Sequence, residues 1–367
     1  MKNTLNVNPM GMIAAAVLAL GLTMSAHVNA QPVKLIIDTD FGPDCDDVGA
    51  LAIAHHLMDV GEAEIIGVVT STYGHPIVAA IDAVNHYYGR PDIPIGHVGE
   101  DGVDHGSQFT PYLADTDNFP SQQTNDSVPH STQLYRELLH NAEEPVNIAV
   151  IGFQSAISHF LDSEADHDGD GIPYTGLELA EENVEKLVLM AANFDDPGHL
   201  EWNVEWDVPA AQNIANNWPG EIVYSGFAIG IGINSGEPLT DPNDNPVAMA
   251  YKMYDGAGGT GEIGDRHSWD LCAVFMAVLG TYYDGERFWE LSDYGTVTIN
   301  DQEPYTEFDA HEGGRHRYKT RTAKHPRDIG PVFDQWMTAP PAGASTDTPT
   351  ASAGSDHMDS QADGEGS

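Results

Sequence analysis

Short apolar segments alternate with helical patterns along most of this 367-residue chain. The first is Val33-Lys34-Leu35-Ile36-Ile37, a nearly continuous apolar run that ends in acidic residues. Strands this apolar are buried on both faces, and helices between them form the crossovers of a parallel sheet. The sequence therefore predicts an α/β fold with a doubly wound, mainly parallel sheet flanked by helices, as in Rossmann-like proteins. The further predicted strands are residues 63–70, 146–151, 186–191 and 221–225. The predicted helices are residues 48–60, 76–88, 131–140, 209–217, 247–253 and 270–283.

The two ends of the chain differ in composition from this central region. Residues 1–30 combine Lys2 with an apolar run and a small-residue site, which is the pattern of a signal peptide cleaved near Ala30-Gln31; an uncleaved anchor is the alternative. Residues 338–367 are rich in Ala, Pro, Ser, Asp and Gly, which predicts a disordered acidic tail. We therefore expect one α/β domain at residues 31–337, in a periplasmic or secreted protein without a membrane segment after signal cleavage.

Acidic residues far outnumber basic ones. The chain has 57 Asp and Glu residues against 14 Lys and Arg residues, which gives a formal net charge of -43. Such a surface repels phosphates, so we expect no nucleic acid among the partners. Repulsion among the charges destabilises the folded state at low ionic strength and is screened by salt. The composition therefore favours a salty, halophilic environment and indicates habitat, not activity.

The two cysteines are Cys45 and Cys272. Two are too few for a disulfide framework, and neither has a Cys or His at the spacing of a zinc site. One bridge between them stays open as a possibility at this point.

Five aspartates fall within ten residues directly after the first predicted strand: Asp38, Asp40, Asp44, Asp46 and Asp47. Carboxylates packed together at a strand end repel one another unless a cation neutralises them. Ligands that are all oxygen favour a hard ion, calcium or magnesium, and a glycine within the run allows a tight turn. The alternative is a solvated acidic turn.

The run Asp38-Thr39-Asp40-Phe41-Gly42-Pro43-Asp44-Cys45-Asp46-Asp47 resembles the signature of the inosine–uridine-type nucleoside N-ribohydrolases in its longer form. The resemblance implies that Asp40 binds Ca²⁺ and activates the attacking water, and that Asp47 is a second calcium ligand. It also implies that Asp46 contacts the ribose diol, although the variable spacing of the motif leaves Asp44 and Asp46 open as alternatives. The family also suggests a homo-oligomer.

Three later segments resemble the family in the expected order. The strand that ends at Ile151 is similar to the one whose terminal backbone carbonyl binds calcium. Glu201-Trp202-Asn203 resembles the family's Glu-Phe-Asn, which implies that Glu201 and Asn203 hold ribose hydroxyls, with Asn193 as a further candidate for the same pocket. Asp270, at the start of an apolar helix, takes the place of the aspartate that completes the calcium site; its alternative role is that of a helix N-terminal acid.

Two positions depart from the family pattern. Trp269 stands where some members have a histidine that protonates the leaving base, and His75 stands where the family often has a ribose-contacting asparagine. His267 is close enough in sequence to act as the acid instead, and Trp269 could stack on an aromatic leaving group.

The residues and the resemblance together predict calcium-dependent hydrolysis of the N-glycosidic bond of a nucleoside. That reaction needs carboxylates near an oxocarbenium-like sugar, a base for the attacking water and a group that stabilises the departing base. Asp40 and the predicted cation provide for the first two needs, and no residue clearly provides for the third. Two alternatives are a calcium-dependent nucleoside or sugar binder without turnover and an aspartyl-nucleophile phosphatase. The phosphatase has a Thr or Val where this chain has Gly42 and needs a later lysine.

A second segment, Asp166-His167-Asp168-Gly169-Asp170-Gly171, resembles the start of an EF-hand calcium loop. Its acids take the first, third and fifth positions of such a loop, but Leu177 stands where the loop has its terminal glutamate. The segment predicts either a structural calcium site or a solvated acidic turn.

Overall fold

The computed structural model describes residues 31–254, 261–321 and 329–343. All the elements described below lie within Pro32–Ser367. The predicted signal peptide at residues 1–30 lies outside the described residues, as do residues 344–367 of the tail predicted at 338–367. In the described part of the chain, no helix is long and apolar enough to cross a membrane.

The order of elements follows the predicted alternation of strands and helices. The strands are β1 (Val33–Thr39), β2 (Ala63–Thr70), β3 (Thr72–Tyr73), β4 (Ile95–Gly96), β5 (Val103–Asp104), β6 (Val146–Val150), β7 (Val184–Leu189), β8 (Ile222–Tyr224), β9 (Asn234–Ser235), β10 (Arg266–His267), β11 (Tyr282–Tyr283), β12 (Glu286–Arg287), β13 (Trp289–Leu291), β14 (Gly295–Ile299), β15 (Thr306–Ala310) and β16 (His316–Arg321). The helices are α1 (Asp46–Asp59), α2 (Ile77–Tyr87), α3 (Thr110–Leu113), α4 (Ser131–His140), α5 (Ser155–Leu161), α6 (Gly176–Asn183), α7 (Trp202–Glu205), α8 (Val208–Asn217), α9 (Phe227–Gly230), α10 (Pro246–Met253), α11 (Trp269–Leu279) and α12 (Gly330–Met337).

A ten-stranded sheet forms the centre of the domain. Its order is β15-β14-β16-β8-β7-β6-β1-β2-β4, with β13 paired to β16. The pairings from β16–β8 through to β2–β4 are parallel, which confirms the predicted doubly wound, mainly parallel sheet. From β1 the chain builds towards β2 and β4 on one side and towards β6, β7 and β8 on the other. The direction of winding therefore reverses between β1 and β6, which makes a crevice there at the carboxyl ends of the strands.

Helices cover both faces of the sheet, as predicted. One apolar cluster packs α1, α2, α10, α11 and α12 against one face, and a second packs α4, α5, α6 and α8 against the other. Asp38 is fully buried on the second face, where the Tyr135 hydroxyl donates to its Oδ2 at 2.8 Å. Burial raises the pKa of Asp38 well above its ordinary value, although the hydrogen bond from Tyr135 lowers it.

The structure corrects the end of one predicted helix. The helix predicted at residues 270–283 ends at Leu279, and Tyr282 and Tyr283 form a short strand instead. Gly280 follows the helix with φ of +70°, a left-handed conformation that glycine adopts without a steric cost. The chain therefore turns out of the helix at this glycine, although the tyrosines after it continue the apolar pattern.

Candidate active site

The carboxyl ends of β1, β6 and β7 lie side by side at the crevice. The parallel hydrogen-bond pattern continues past the strands, because Ile151 N donates to Asp38 O at 2.7 Å and Met190 N donates to Val150 O at 2.8 Å. Gly152 allows β6 to approach the acidic loop closely: a Cβ at this position would lie 2.3 Å from the Asp40 nitrogen. The loop after β1 therefore sits directly beside the end of β6.

Three buried aspartates form a cluster beside this crevice. Asp46, Asp47 and Asp270 each offer a carboxylate oxygen, and these oxygens lie within 4.8 Å of one another. Asp46 and Asp47 begin α1, and Asp270 lies in the first turn of α11, so two helix N-termini direct their positive dipole ends towards the carboxylates. Asp270 N also donates to Asp46 Oδ2 at 3.2 Å.

Asp40 lies beside this cluster, and its carboxyl group hydrogen-bonds with that of Asp47. Its role as a calcium ligand stays a prediction. Burial, followed by the charge of Asp47, raises the pKa of Asp40 well above its ordinary value. Burial likewise raises the pKa of Asp46, with the charges of Asp44 and Asp47 contributing, and raises the pKa of Asp270, with the charge of Asp46 contributing. Burial raises the pKa of Asp47 to about 6, against hydrogen bonds from Thr39 and Asp40 that lower it. These groups cannot all be ionised together unless positive charge lies among them.

The donor set fits a hard divalent cation. Carboxylate oxygens are the ligands that calcium and magnesium prefer, and the cluster contains no nitrogen or sulfur ligand. Ile151, whose carbonyl is a predicted ligand, lines the same cavity, and that carbonyl accepts a hydrogen bond from Asn203 Nδ2 at 3.1 Å. A carbonyl oxygen has two lone pairs, so this bond leaves one for a cation.

Asp44 and Asp46 have different surroundings. Asp44 is partly exposed and receives a bidentate ion pair from Arg266, with Nε 2.8 Å from Oδ2. Asp46 instead lies in the buried cluster. The structure therefore pairs Asp44 with Arg266 and makes Asp46 a candidate metal ligand. The contact of Asp46 with the ribose diol, which the resemblance implies, stays a prediction.

Glu201 and Asn203 form another part of the cavity wall. Glu201 caps α7, and its carboxylate accepts hydrogen bonds from the backbone nitrogens of Ala192, Asn203 and Val204 at 3.0–3.3 Å. Burial raises the pKa of Glu201 to about 7, although these hydrogen bonds lower it. Asn203 Nδ2 also donates to Met190 O at 3.0 Å, so both side chains are held in fixed positions at the end of β7.

The aspartate cluster, Glu201 and Asn203 together line a cavity of about 270 Å³. The predicted site residues that line it are Asp40, Asp46, Asp47, Ile151, Glu201, Asn203, Trp269 and Asp270. Two other predicted substrate contacts do not line it. His75 Nδ1 hydrogen-bonds to Thr110 Oγ1 at 2.9 Å, and Asn193 Oδ1 accepts from the backbone nitrogen of Asp196 at 3.1 Å. Their contact with a substrate stays a prediction.

No protein-family model and no curated protein matches the sequence, but solved structures do share its fold. An inosine–guanosine nucleoside hydrolase superimposes with a TM-score of 0.60 at 15% identity, covering 83% of this chain and 97% of that one. An inosine–uridine preferring nucleoside hydrolase from Bacillus anthracis gives 0.59 at 13% identity, covering 83% and 98%. This chain has the nucleoside hydrolase fold. The type III effector protein XopQ, solved with adenosine diphosphate ribose, also shares it, with a TM-score of 0.58 at 13% identity and coverage of 84% and 93%.

The nucleoside hydrolase fold brings further residues to the cavity that the sequence did not indicate. These are Met190, Trp202, Phe227, Tyr254 and Arg266. Arg266 and Tyr254 lie far along the chain from the acidic loop, and no local pattern marks them as partners of it. Trp202 belongs to the motif Glu201-Trp202-Asn203, but the motif did not predict that its side chain lines the cavity and is 43% exposed.

The second acidic segment takes a different role in this fold. Arg136, which is fully buried, donates from Nε to Asp170 Oδ2 at 2.5 Å and from Nη2 to the carbonyls of Ile172 and Tyr174. Asp166 Oδ1 accepts from the backbone nitrogen of Gly171 at 2.8 Å. The structure therefore favours an arginine-anchored turn over the predicted structural calcium site.

Cys45 and Cys272 are both buried and are not joined by a disulfide. Burial raises the pKa of the Cys45 thiol well above its ordinary value, with the charges of Asp44 and Asp46 acting in the same direction. Cys45 therefore stays a protonated, apolar packing residue at the start of α1.

Proposed function

We propose that this protein hydrolyses the N-glycosidic bond of a ribonucleoside, giving the free base and ribose, with Ca²⁺ as its cofactor. The observation that carries the proposal is the convergence of Asp40, the aspartate cluster and the Glu201–Asn203 wall on one cavity at the switch point of the sheet. Carboxylates around a small cavity are suited to a sugar that gains positive charge as its bond to the base breaks.

The residues that line the cavity would have separate roles in the reaction. Asp46, Asp47, Asp270 and the Ile151 carbonyl would hold the cation. When bound, the cation supplies charge that orients sugar hydroxyls and makes a neighbouring water more acidic. Asp40 would accept the proton of the attacking water. Glu201 and Asn203 would hold the other edge of the sugar, and their fixed hydrogen bonds convert substrate binding into orientation.

The cavity does not favour a phosphatase. Among the described residues, none that lines it is a lysine, and the charge of -43 opposes phosphate substrates. We further propose that the protein is exported, because residues 1–30 have the composition of a signal peptide.

The test is to incubate the purified chain with Ca²⁺ and a panel of purine and pyrimidine nucleosides in high salt, and to measure free ribose and free base. We expect ribose release that a chelator abolishes and that added Ca²⁺ restores. Asp40→Asn should lower kcat by about 10²–10⁴-fold, because the water loses its base. Asp117→Asn, an exposed position away from the cavity, is the matched control and should retain activity.

A second candidate is a nucleoside or ribose binder without turnover. Its support is that the fold is shared with an effector protein solved with adenosine diphosphate ribose, and a fold alone does not fix an activity. Calorimetry with nucleosides and with adenosine diphosphate ribose separates the two candidates. Binding by folded, Ca²⁺-loaded protein without ribose release across the panel would overturn the hydrolase proposal and support the binder.

A further inference from the structure

Departure of the base requires a group that stabilises the negative charge it takes with it, and the predicted residues do not provide one. His267 does not line the cavity. Its Nδ1 accepts from the backbone nitrogen of Gly232 at 3.1 Å and lies 2.7 Å from Asn234 Oδ1. Desolvation by burial lowers its pKa, and the adjacent Arg266 lowers it further. The contacts of His267 are therefore with Gly232 and Asn234, outside the cavity.

The Trp269 side chain already has protein partners on its ring and at its N–H group. Its Nε1–H donates to the carbonyl of Phe227 at 2.8 Å, and its ring stacks on the Phe227 ring with centroids 5.6 Å apart. The guanidinium carbon of Arg266 lies over the same indole, 5.0 Å from the ring centroid. A base that stacked on Trp269 would have to compete with these neighbours, so the indole acts as a support for Arg266.

Arg266 is the one cationic side chain among the described residues that line this cavity. Its guanidinium lies over Tyr254, 5.2 Å from the ring centroid, as well as over Trp269. Asp44 accepts from Nε and Nη2, which fixes one edge of the fork. Nη2 also donates to the Tyr254 hydroxyl at 3.4 Å. Within the described residues Nη1 has no hydrogen-bond partner, so its two N–H donors are available beside the cavity.

We propose that Arg266 contacts the leaving base, stabilises its negative charge and selects 6-oxopurines; this inference rests on the proposed hydrolase function. The C1′–N bond breaks with its electron pair going to the base nitrogen. The water oxygen bonds to C1′, and its proton goes to Asp40. Arg266 remains protonated throughout and donates hydrogen bonds to the anionic base, which takes its proton from solvent after release.

The selection follows from the donor pattern of the guanidinium. Arginine offers donors only, and a 6-oxopurine offers two adjacent acceptors, N7 and O6, on one edge. Adenine has an amino donor in place of O6, which would face the arginine donors. Inosine and guanosine should therefore be better substrates than adenosine.

The test compares Arg266→Gln with the parent protein on two substrates. Inosine has a poor leaving group, whereas 4-nitrophenyl β-D-ribofuranoside releases a stabilised anion that needs no hydrogen bond. We expect Arg266→Gln to lower kcat on inosine by about 10²–10³-fold, as when one donor to a developing anion is removed, and to leave the nitrophenyl substrate nearly unchanged. Equal losses on both substrates, or no loss on inosine, would overturn the proposal.

Three further measurements distinguish the proposed role of Arg266 from a folding defect and from a lack of activity in the parent protein. Arg287→Gln removes an exposed arginine that also lies over a tyrosine ring, and it should leave both rates unchanged. The double variant Asp44→Asn with Arg266→Gln avoids an unpaired carboxylate and should repeat the inosine defect.

Calorimetry of free bases is independent of turnover: the parent should bind hypoxanthine more tightly than adenine, and Arg266→Gln should remove that difference. No difference in the parent would refute the role of Arg266, whereas a parent that cleaves neither ribose substrate would refute the hydrolase function.

Discussion

Two aspartates of the same loop have different physical roles. Asp46 is buried beside Asp47 and Asp270, whereas Asp44 is partly exposed and paired with Arg266. Removing one charge from the buried cluster should weaken cation binding by at least about tenfold, which is the usual loss when even a supporting partner of a metal site is removed. We therefore expect Asp46→Asn to lower Ca²⁺ affinity by that factor in calorimetry, and Asp44→Asn to lower it much less.

The opposite order of affinities would contradict the assignment of Asp46. It would mean that Asp44 leaves its ion pair to bind the cation. Circular dichroism of both variants is the control, because each substitution removes a polar contact at the start of α1.

Single residues also show which parts of the candidate site could be predicted from the sequence and which could not. Asp40, Asp47 and Asp270 could be selected because each follows a strand or begins an apolar helix, and the structure brings all three to one cavity. Arg266 could not be selected, because its pairing with Asp44 joins positions 222 residues apart and depends on how the elements pack. The same limit applies to Tyr254.

At the scale of elements, the end of β6 fixes the position of the acidic loop. Gly152 has no room for a side chain: a Cβ would lie 2.3 Å from the Asp40 nitrogen and 2.7 Å from Ser71 Oγ. Gly152→Ala should therefore displace the loop, destabilise the fold by about 1–3 kcal/mol and weaken Ca²⁺ binding. Urea unfolding and calorimetry measure the two effects.

A matched control is Gly106→Ala, where an added Cβ meets no atom within 4 Å. It should change neither the free energy of unfolding nor Ca²⁺ affinity to a comparable degree. Equal behaviour of the two variants would show that the close approach of β6 to the loop is not required.

Elements differ in how well their patterns predicted them. The parallel strands were predictable because they are apolar almost throughout, as in β6 and the second half of β2. The antiparallel edge was not predicted, although β14 alternates buried and exposed residues in the pattern typical of a half-buried strand. Its short length and polar neighbours made that alternation easy to miss.

At the scale of the whole molecule, the alternation of strands and helices in the sequence predicted the fold. The switch point of the sheet then indicated where the candidate site lies. Neither the prediction of the fold nor that of the site used the surface charge. The surface charge instead determines how the stability of the protein depends on salt. Acidic residues give the chain a net charge of -43, and the ion pairs seen at Asp44, Asp59 and Asp170 each require one of only 14 basic residues. Most of the negative charge therefore has no basic partner to neutralise it.

This excess predicts that salt stabilises the protein. The screening length falls from about 10 Å at 0.1 M salt to about 3 Å at 1 M, so repulsion between neighbouring carboxylates weakens over that range. We expect the Tm to rise by about 5 °C or more between 0.1 and 1 M NaCl, in saturating Ca²⁺ so that site occupancy stays constant. Chloride is the suitable anion, because sulfate would also strengthen apolar burial by exclusion. A Tm that is the same at both concentrations would mean that the surface charges are far enough apart to be harmless, and it would remove the physical basis for expecting a salty habitat.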